Sequence, residues 1–528
     1  MEAVFVGCHP LTLDQIEEIV YRSAPVEIDP DAHEAIDRSA AYVREMACSG
    51  KAVYGVTTGF GANRNTVIRA EDAETLQERL LVSHACGVGD PLPVEVVRAM
   101  MLLRINALAR GNSGIRRSTL QVLVEMLNRG VHPVVPEFGS VGASGDLCPL
   151  AHMVLPIIGQ GEVNVDGLIS GGAAGMARAG IDTIRLTYKE GLALLNGTQA
   201  MTALGVIVAI GFRQLLDSAD AVGAMSLDAV AGRLEALDDR IHQSRGRKGQ
   251  IDSAHHLRSM LKGSELAGAL PGTVEGKVEY IQDSYCLRCM PQIHGASRDV
   301  LDHVIQILVT EANAVTDNPL VYPPVESIEG TDGTDQGSQR IEGAILSGGN
   351  FHGQPVAMAL DYLKVAIAEI GSVSERRCAK LTDKYFSEGL PAFLVNEPGL
   401  NSGMMIPQYV AAALVSENKN KAHPASVDSI PTSANMEDHV SMGMHAGLHA
   451  HKILQNVEHI IGIEYLIAAQ GLDLREGFRF GAGTRLALKA LREEVPFLDR
   501  DRFLQPDILK ATELIRRGEA ARALRQVL

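Results

Sequence analysis

The stretch Pro136 to Leu147 reads PEFGSVGASGDL, and it sets four small residues, Gly142, Ala143, Ser144 and Gly145, in a row. With so little side-chain bulk, backbone can approach backbone there, and glycine allows turns that other residues resist. Taken alone, the run is compatible with a helix entry, with Ser144 or Asp146 as N-cap ahead of Leu147. It is equally compatible with a nest of backbone N–H groups that would hold an anion. Three other positions carry groups able to do chemistry. Tyr54 lies in the glycine-punctuated loop VYGVTTGFG (53–61), where its hydroxyl could serve as acid or base on an active-site lid. His84 opens the run HACGVG, and a histidine is the side chain whose charge changes most readily near neutrality. Asn196 sits at the edge of a very apolar segment, and a buried amide needs partners, among which a substrate can count.

The elements that must position these groups read as helices. Leu11–Arg22 and Pro30–Ser49 are amphipathic, the second with Asp29 as N-cap and Pro30 at the first helical position. Glu71–Val82, Val94–Arg110 and Ser118–Arg129 repeat apolar residues at three- and four-residue spacing. Glu162–Leu168 alternates as a small hairpin arm. The run Ala200–Phe212 reads as a short buried helix rather than a membrane span. Arg298–Asn313, Pro355–Leu381, Pro407–Asn418 and Val440–Gln470 are long helical patterns, as of a bundle. The 323–343 segment, rich in Glu, Asp, Gly, Ser and Thr, reads as an exposed loop, and amphipathic helix resumes from Thr484 to Leu528. The expected organisation is an N-terminal region (1–200), a central long-helix bundle (201–480) and a helical tail (481–528).

Composition agrees with that reading. Hydrophobic residues make up 46% of the 528 and charged ones 21%, which supports a large core and argues against disorder. Aromatics are only 4%, so the core must be built from aliphatic side chains, which suits close-packed helices. A formal charge of −16 disfavours nucleic acid and anionic membrane as partners. The seven cysteines are dilute and odd in number, unlike a secreted disulfide framework. The pair Cys286 and Cys289 is a lone C-x-x-C without a second pair or ligand histidines, so no metal is expected. No signal peptide is visible, which makes a reduced, cytoplasmic protein the expectation.

Framed as GSVGASGDLCPLAHM, the tripeptide Ala143-Ser144-Gly145 resembles the signature of the aromatic amino acid ammonia-lyases and aminomutases. Further blocks follow in order: YGVTTGFG (54–61), SHACGVG (83–89), KEGLALLNGTQAM (189–201), DSYCLRC (283–289), NAVTDNPL (313–320), GGNFHGQPVA (348–357) and HPASVDSIPTSANMEDHVSMG (423–443). The resemblance therefore runs from about Tyr54 to Gln470. It implies a mainly α, aromatic ammonia-lyase-like fold with a mixed N-terminal region carrying the prosthetic group and a long central helical bundle, assembled as a homotetramer whose sites draw on more than one subunit. It also implies that Ala143, Ser144 and Gly145 cyclise to 4-methylidene-imidazol-5-one (MIO). The residue types suit this: the unshielded Gly145 nitrogen can attack the Ala143 carbonyl, and loss of water from Ser144 leaves an electrophilic methylidene.

Within the family the chain looks most like the histidine branch, whose members convert L-histidine to trans-urocanate and ammonia. The Ser83-His84 pair, the run Glu437-Asp438-His439 and the block LVSENKNKAHPASVDSIPTSAN carry that likeness. In the roles this implies, Glu437 accepts from an imidazole N–H in a charge-assisted bond while His84 serves the other ring nitrogen. Arg288 takes the substrate carboxylate, with Asn196 as a further donor. Tyr54 is the base for the β-proton, and Gln282, Tyr285 and Phe351 complete the pocket. The bland alternative for Glu437 is a cap on the helix near Val440. Arg247, Met436 and Gln354 depart from the histidine pattern, and Gln354 resembles the tyrosine and phenylalanine branch. A tyrosine or phenylalanine ammonia-lyase or 2,3-aminomutase is accordingly the second reading.

Overall fold

The structure, a computed structural model, describes residues 2–59, 61, 65–69, 72–268, 282–326, 340–397 and 399–528. Its contacts divide the chain into two compact units, each assembled from three separate segments. The first comprises Met1–Ile207, Ile305–Leu360 and Ala425–Leu448; the second comprises Val208–Val304, Asp361–Pro424 and His449–Leu528.

Local signals place the elements of the first unit. Helix Leu13–Arg22 starts at a capping box, with Thr12 accepting from the Gln15 backbone and Gln15 returning a bond to Thr12. Asp29 accepts from the Asp31 N–H at 3.0 Å and Pro30 opens a 3-10 turn (Pro30–Ala32) that runs into helix His33–Cys48, as the Asp-Pro pair foretells. Helices Ala73–His84, Val94–Ala109 and Arg117–Asn128 follow within two residues of the expected bounds. The 94–109 helix is buried on all sides, which is why its amphipathic stripe is weak and why Arg98 and Arg104 lie inside. Sheet structure is confined to short pieces. Val4–Val6 runs parallel to Val26–Ile28, and Glu162–Val165 forms a hairpin with Leu168–Gly171 that also pairs with His132–Pro133. Helix Leu147–Val154 begins immediately after the glycine-rich run.

Long helices supply the rest. Gln199–Ala229 and Gly443–Asp473 each span 31 residues, Gln354–Thr382 spans 29 and Met290–Ala312 spans 23. The apolar run expected to end at Phe212 thus continues to Ala229, because Ser218, Asp220, Ser226 and Asp228 are buried beside apolar neighbours rather than marking an exposed end. By length and composition this helix could cross a membrane, and 83% of its most apolar window is buried within the protein. Met290–Ala312 starts eight residues ahead of the expected Arg298, with Pro291 tolerated in the first turn.

Inside the second unit, charge is buried along the helix faces. Glu464 accepts from Arg377 Nε (2.5 Å) and Nη2 (2.8 Å), and from the hydroxyls of Ser226 (2.6 Å) and Ser374 (2.5 Å). Asp220 accepts from Ser253, His256, His294 and Arg298, and Arg298 with the two histidines holds its carboxyl well below the usual range despite complete burial. All four lone-pair directions of each carboxylate are thereby engaged, the condition on which a buried charge is tolerated. The tail forms helices Ala482–Arg492, Gln505–Arg516 and Glu519–Arg525. Of the 323–343 segment, Val325–Glu326 and Arg340–Ile341 pair antiparallel, while 327–339 lie outside the described residues.

Candidate active site

The glycine-rich run is a tight loop pressed between two other stretches of the first unit. Gly142, Ser144 and Gly145 all have positive φ (78°, 52° and 77°). For Ser144 that conformation costs energy, and it persists only because the surroundings impose it. Gly145 bridges to Gly197, whose carbonyl accepts from the Asp146 N–H at 2.7 Å. A Cβ on Gly145 would strike the Gly197 backbone and one on Gly142 would strike the Ser441 hydroxyl, so only glycine fits either place. Met442 N donates to the Val141 carbonyl at 2.9 Å from the other side.

Asp146 fastens the loop from beneath. It is completely buried, accepts from Ser140 Oγ at 2.8 Å and from Met201 N at 2.9 Å, and Ser140 Oγ in turn accepts from Gly142 N at 3.0 Å. Burial pushes its carboxyl up to about 6, against the pull of those donors. Asp146 does stand at the N-cap position of the 147–154 helix, yet its side chain makes no cap bond. Of the readings open for this stretch, helix entry is correct for the backbone alone, since the carboxylate is turned to the loop instead.

Ser144 faces a cavity of about 700 Å³. Its hydroxyl donates to Glu437 Oε1 at 2.8 Å, and its carbonyl accepts from Asn196 Nδ2 at 3.0 Å. The other Glu437 oxygen accepts from Thr432 Oγ1 at 2.8 Å, and the two residues also pair through their backbones. Glu437 does not cap a helix: the following helix begins only at Gly443, and the 432–437 bridge holds the carboxylate toward Ser144. Asn196 is buried, and its Oδ1 has no partner among the described residues, leaving one acceptor beside the loop. His84 Nδ1 lies 2.9 Å from the Leu80 carbonyl, which fixes the proton on Nδ1 and leaves Nε2 as an acceptor. Burial lowers the His84 pKa, opposed by that carbonyl and by the Glu437 charge, so the ring is neutral at pH 7. The Tyr54 hydroxyl accepts weakly from Gly61 N at 3.5 Å.

Tyr54, His84, Ser144, Asn196 and Glu437 therefore line one cavity, with Ala143 and Gly145 flanking Ser144. Gln282, Tyr285, Arg288 and Phe351 are not among its lining residues. The first three belong to the second unit, where Tyr285 is 70% exposed and the Arg288 guanidinium lies 4.8 Å over its ring. Phe351, in the first unit, is half-buried. Sequence reasoning missed Arg79 and Ser433, which also line the cavity. Arg79 had a signal, since it lies one helical turn before Ser83 on the segment that carries His84.

A family model for aromatic amino acid lyases matches residues 11–493. The histidine ammonia-lyase of Caldanaerobacter subterraneus subsp. tengcongensis is 47% identical over 526 residues, covering 100% of this chain and 99% of that protein. Among solved structures, histidine ammonia-lyase from Trypanosoma cruzi superposes with a TM-score of 0.88 at 38% identity, covering 100% and 96% of the two chains. Tyrosine aminomutase from Streptomyces globisporus superposes with a TM-score of 0.90 at 34% identity, covering 99% and 98%. The fold is thus the mainly α fold of these lyases and aminomutases, and the chain belongs to the aromatic amino acid lyase family.

Proposed function

We propose that this chain is a histidine ammonia-lyase that eliminates ammonia from L-histidine to give trans-urocanate. The observation that carries this reading is the Glu437 carboxylate, held 2.8 Å from Ser144 in a cavity shared with a neutral His84. An imidazole side chain needs one acceptor for its N–H and one polar partner for its other nitrogen, and a phenyl ring would leave both unpaired. Glu437 accepts from the ring N–H. Because Leu80 holds the His84 Nδ1 proton, His84 meets the substrate through Nε2 as an acceptor, which suits the tautomer or protonation state of the substrate that presents a second N–H.

The residues of the loop fit MIO formation. Gly145 has no room for a side chain, Ser144 is held in an uncommon conformation, and Asn196 fixes the Ser144 carbonyl while keeping Oδ1 free for a donor. The ring, once formed from Ala143, Ser144 and Gly145, supplies the electrophile that the twenty side chains lack. Around it, Tyr54 takes the β-proton and Asn196 orients the polar end of the substrate, a reading supported by both residues lining the cavity with Ser144. Arg288, Tyr285, Gln282 and Phe351 reach the cavity from neighbouring copies in a homotetramer; the exposure of Tyr285, with Arg288 stacked on it, suits an interface role. Seven free cysteines suit a reducing, cytoplasmic setting.

A second reading, a tyrosine or phenylalanine lyase or 2,3-aminomutase, is favoured by Gln354; the Ser83-His84 pair, which some tyrosine aminomutases also carry, does not separate the two readings. The test is to incubate the purified enzyme with L-histidine, L-tyrosine and L-phenylalanine in turn and follow conjugated product by ultraviolet absorbance. Urocanate from histidine is expected. A cinnamate or a β-amino acid without any urocanate would reject histidine as the substrate.

A further inference from the structure

Arg104, on the 94–109 helix, is completely buried, and a buried cation is tolerated only where its donors are engaged. Its terminal nitrogens make the bonds. Nη2 donates to the Ala193 carbonyl, while Nη1 donates to Gln199 Oε1 at 3.0 Å and to the Thr316 carbonyl at 3.3 Å. Nε has no partner among the described residues. Gln199 Nε2 closes the group by donating to Thr316 Oγ1 at 2.6 Å. Asp317 lies 3.9 Å from Nη2, and Lys189 pairs with it at 2.7 Å. Burial lowers the guanidinium to about 10 against the pull of Asp317, so it is charged at pH 7. The fork also abuts Gly197, where a Cβ would strike Arg104 Nη1, Gln199 Oε1 and the Thr316 carbonyl. Gly197 is the residue that bridges to Gly145 and accepts from the Asp146 N–H at 2.7 Å, and its neighbour Asn196 donates to the Ser144 carbonyl at 3.0 Å. Gly197 thus touches the guanidinium and the glycine-rich loop at once, with no room for a methyl group.

We infer that Arg104 is a positioning residue for the cyclisation of Ala143-Ser144-Gly145: by fixing the backbone from Ala193 to Gln199 it holds Gly197 against Gly145 and keeps the loop closed. The inference rests on the cyclisation proposed above and is independent of which amino acid the enzyme takes. In that reaction the Gly145 nitrogen bonds to the Ala143 carbonyl carbon, whose oxygen leaves as one water with the protons of the Gly145 and Ser144 amides. The Ser144 hydroxyl leaves as the second water with the Ser144 α-hydrogen. Arg104 touches none of these atoms and acts through Gly197 and Asn196. Were the 193–199 segment to draw back, the Gly145 nitrogen would lose its approach to Ala143, and a displacement of about 1 Å can cost an oriented reaction about a hundredfold. Lysine would keep the charge there, but as a point donor it does not span the Ala193 and Thr316 carbonyls as a planar fork does.

The test uses the full-length chain as wild type, Arg104→Lys, Thr316→Val and Arg98→Lys. Arg98 is the matched control: it is buried on the same helix, but donates to the Ile19, Val20 and Leu127 carbonyls, away from the loop. Each protein is made in a brief induction, the folded chains are isolated by size exclusion, and their intact mass is followed in time for the loss of two waters. Thermal unfolding is measured alongside. In Arg104→Lys the loss should slow about tenfold or more. Thr316→Val removes only the hydroxyl that accepts from Gln199, and should slow it about threefold. Arg98→Lys should lose both waters at the wild-type pace even where its unfolding temperature falls as far. Wild-type pace in folded Arg104→Lys, or equal slowing in Arg98→Lys, would overturn the inference. If Arg104→Lys yields no folded chain, Thr316→Val decides, and wild-type pace there overturns it. Failure of the cyclisation reading looks different, because the unmutated chain would itself keep both waters. Failure of the histidine reading would show as no urocanate from a chain that still loses them.

Discussion

Replacing Glu437 by glutamine changes one atom of the cavity wall and removes one charge. In the structure one carboxylate oxygen accepts from Ser144 and the other from Thr432, both at 2.8 Å. Glutamine keeps a single carbonyl oxygen and presents an NH2 group at the second position. The Thr432 hydroxyl can rotate to accept from that NH2, and the 432–437 backbone pairing is untouched, so the loop should keep its shape. What is lost is the anionic acceptor for an imidazole N–H. Hydrogen bonds to charged groups contribute about 1.5–3 kcal/mol. That converts to a loss in kcat/KM for L-histidine of about tenfold to about 150-fold. Phenylalanine and tyrosine have no ring N–H at that place, so turnover of either, however slow, should change little. The assay is steady-state product formation on all three amino acids with wild type and Glu437→Gln, alongside thermal unfolding to show that the variant is folded. An equal loss on all three substrates would refute the assignment, because it would make Glu437 part of the chemistry common to the family rather than the reader of the ring.

Ser144→Ala removes the hydroxyl that must leave as water, so turnover should vanish while unfolding is cooperative as before; by intact mass the variant should lack the loss of two waters that cyclisation brings to the wild type. The pH profile should follow His84: burial holds its pKa below the ordinary histidine value of 6.5, so the ring stays neutral above that pH. The acid limb of kcat/KM should therefore lie below 6.5, and stability should fall as pH drops below 6.5 and level off once the folded-state value is passed, because the unfolded chain binds that proton more readily; His84→Asn should remove this dependence, as urea titrations across the pH range would show. Arg377→Met leaves the buried Glu464 with two serine donors and no cation, and should destabilise the protein by about 3–5 kcal/mol in denaturant titration.

The parts of the fold that sequence made legible are those decided locally. Asp29 with Pro30 announces a helix start by a bond that spans two residues, and the structure keeps it, whereas the first helix begins at Leu13 behind a Thr12–Gln15 capping box and not at the expected Leu11. Helix ends were harder, as Ala200–Phe212 illustrates. Its continuation to Ala229 depends on polar residues that are tolerated only because partners elsewhere satisfy them: Ser226 donates to Glu464, 238 residues away. A carboxylate such as Asp220 reads as a surface residue until Arg298 and two histidines surround it. Such pairings are set by tertiary packing, and no periodicity reports them.

The site divides along the same line. Residue type alone made Ser144, Tyr54 and His84 plausible, but the Ser144–Glu437 bond joins residues 293 apart, and only the family resemblance linked them. The glycines of the loop show why spacing could not. Gly145 has to be glycine because of Gly197, and Gly142 because of Ser441, two contacts from different parts of the chain. Each also holds the loop on one side: Gly197 accepts from Asp146, and Met442, next to Ser441, donates to Val141. Asp146 links both to the base of the loop through Ser140 and Met201. A free Gly-Ala-Ser-Gly peptide would seldom hold positive φ at three of four positions, since serine disfavours that region. Here the surrounding backbone imposes it, and the energy comes from packing that the whole unit provides. The cyclisation proposed for Ala143-Ser144-Gly145 therefore depends on the folded unit, which is why the same three letters elsewhere in a sequence would imply no such chemistry.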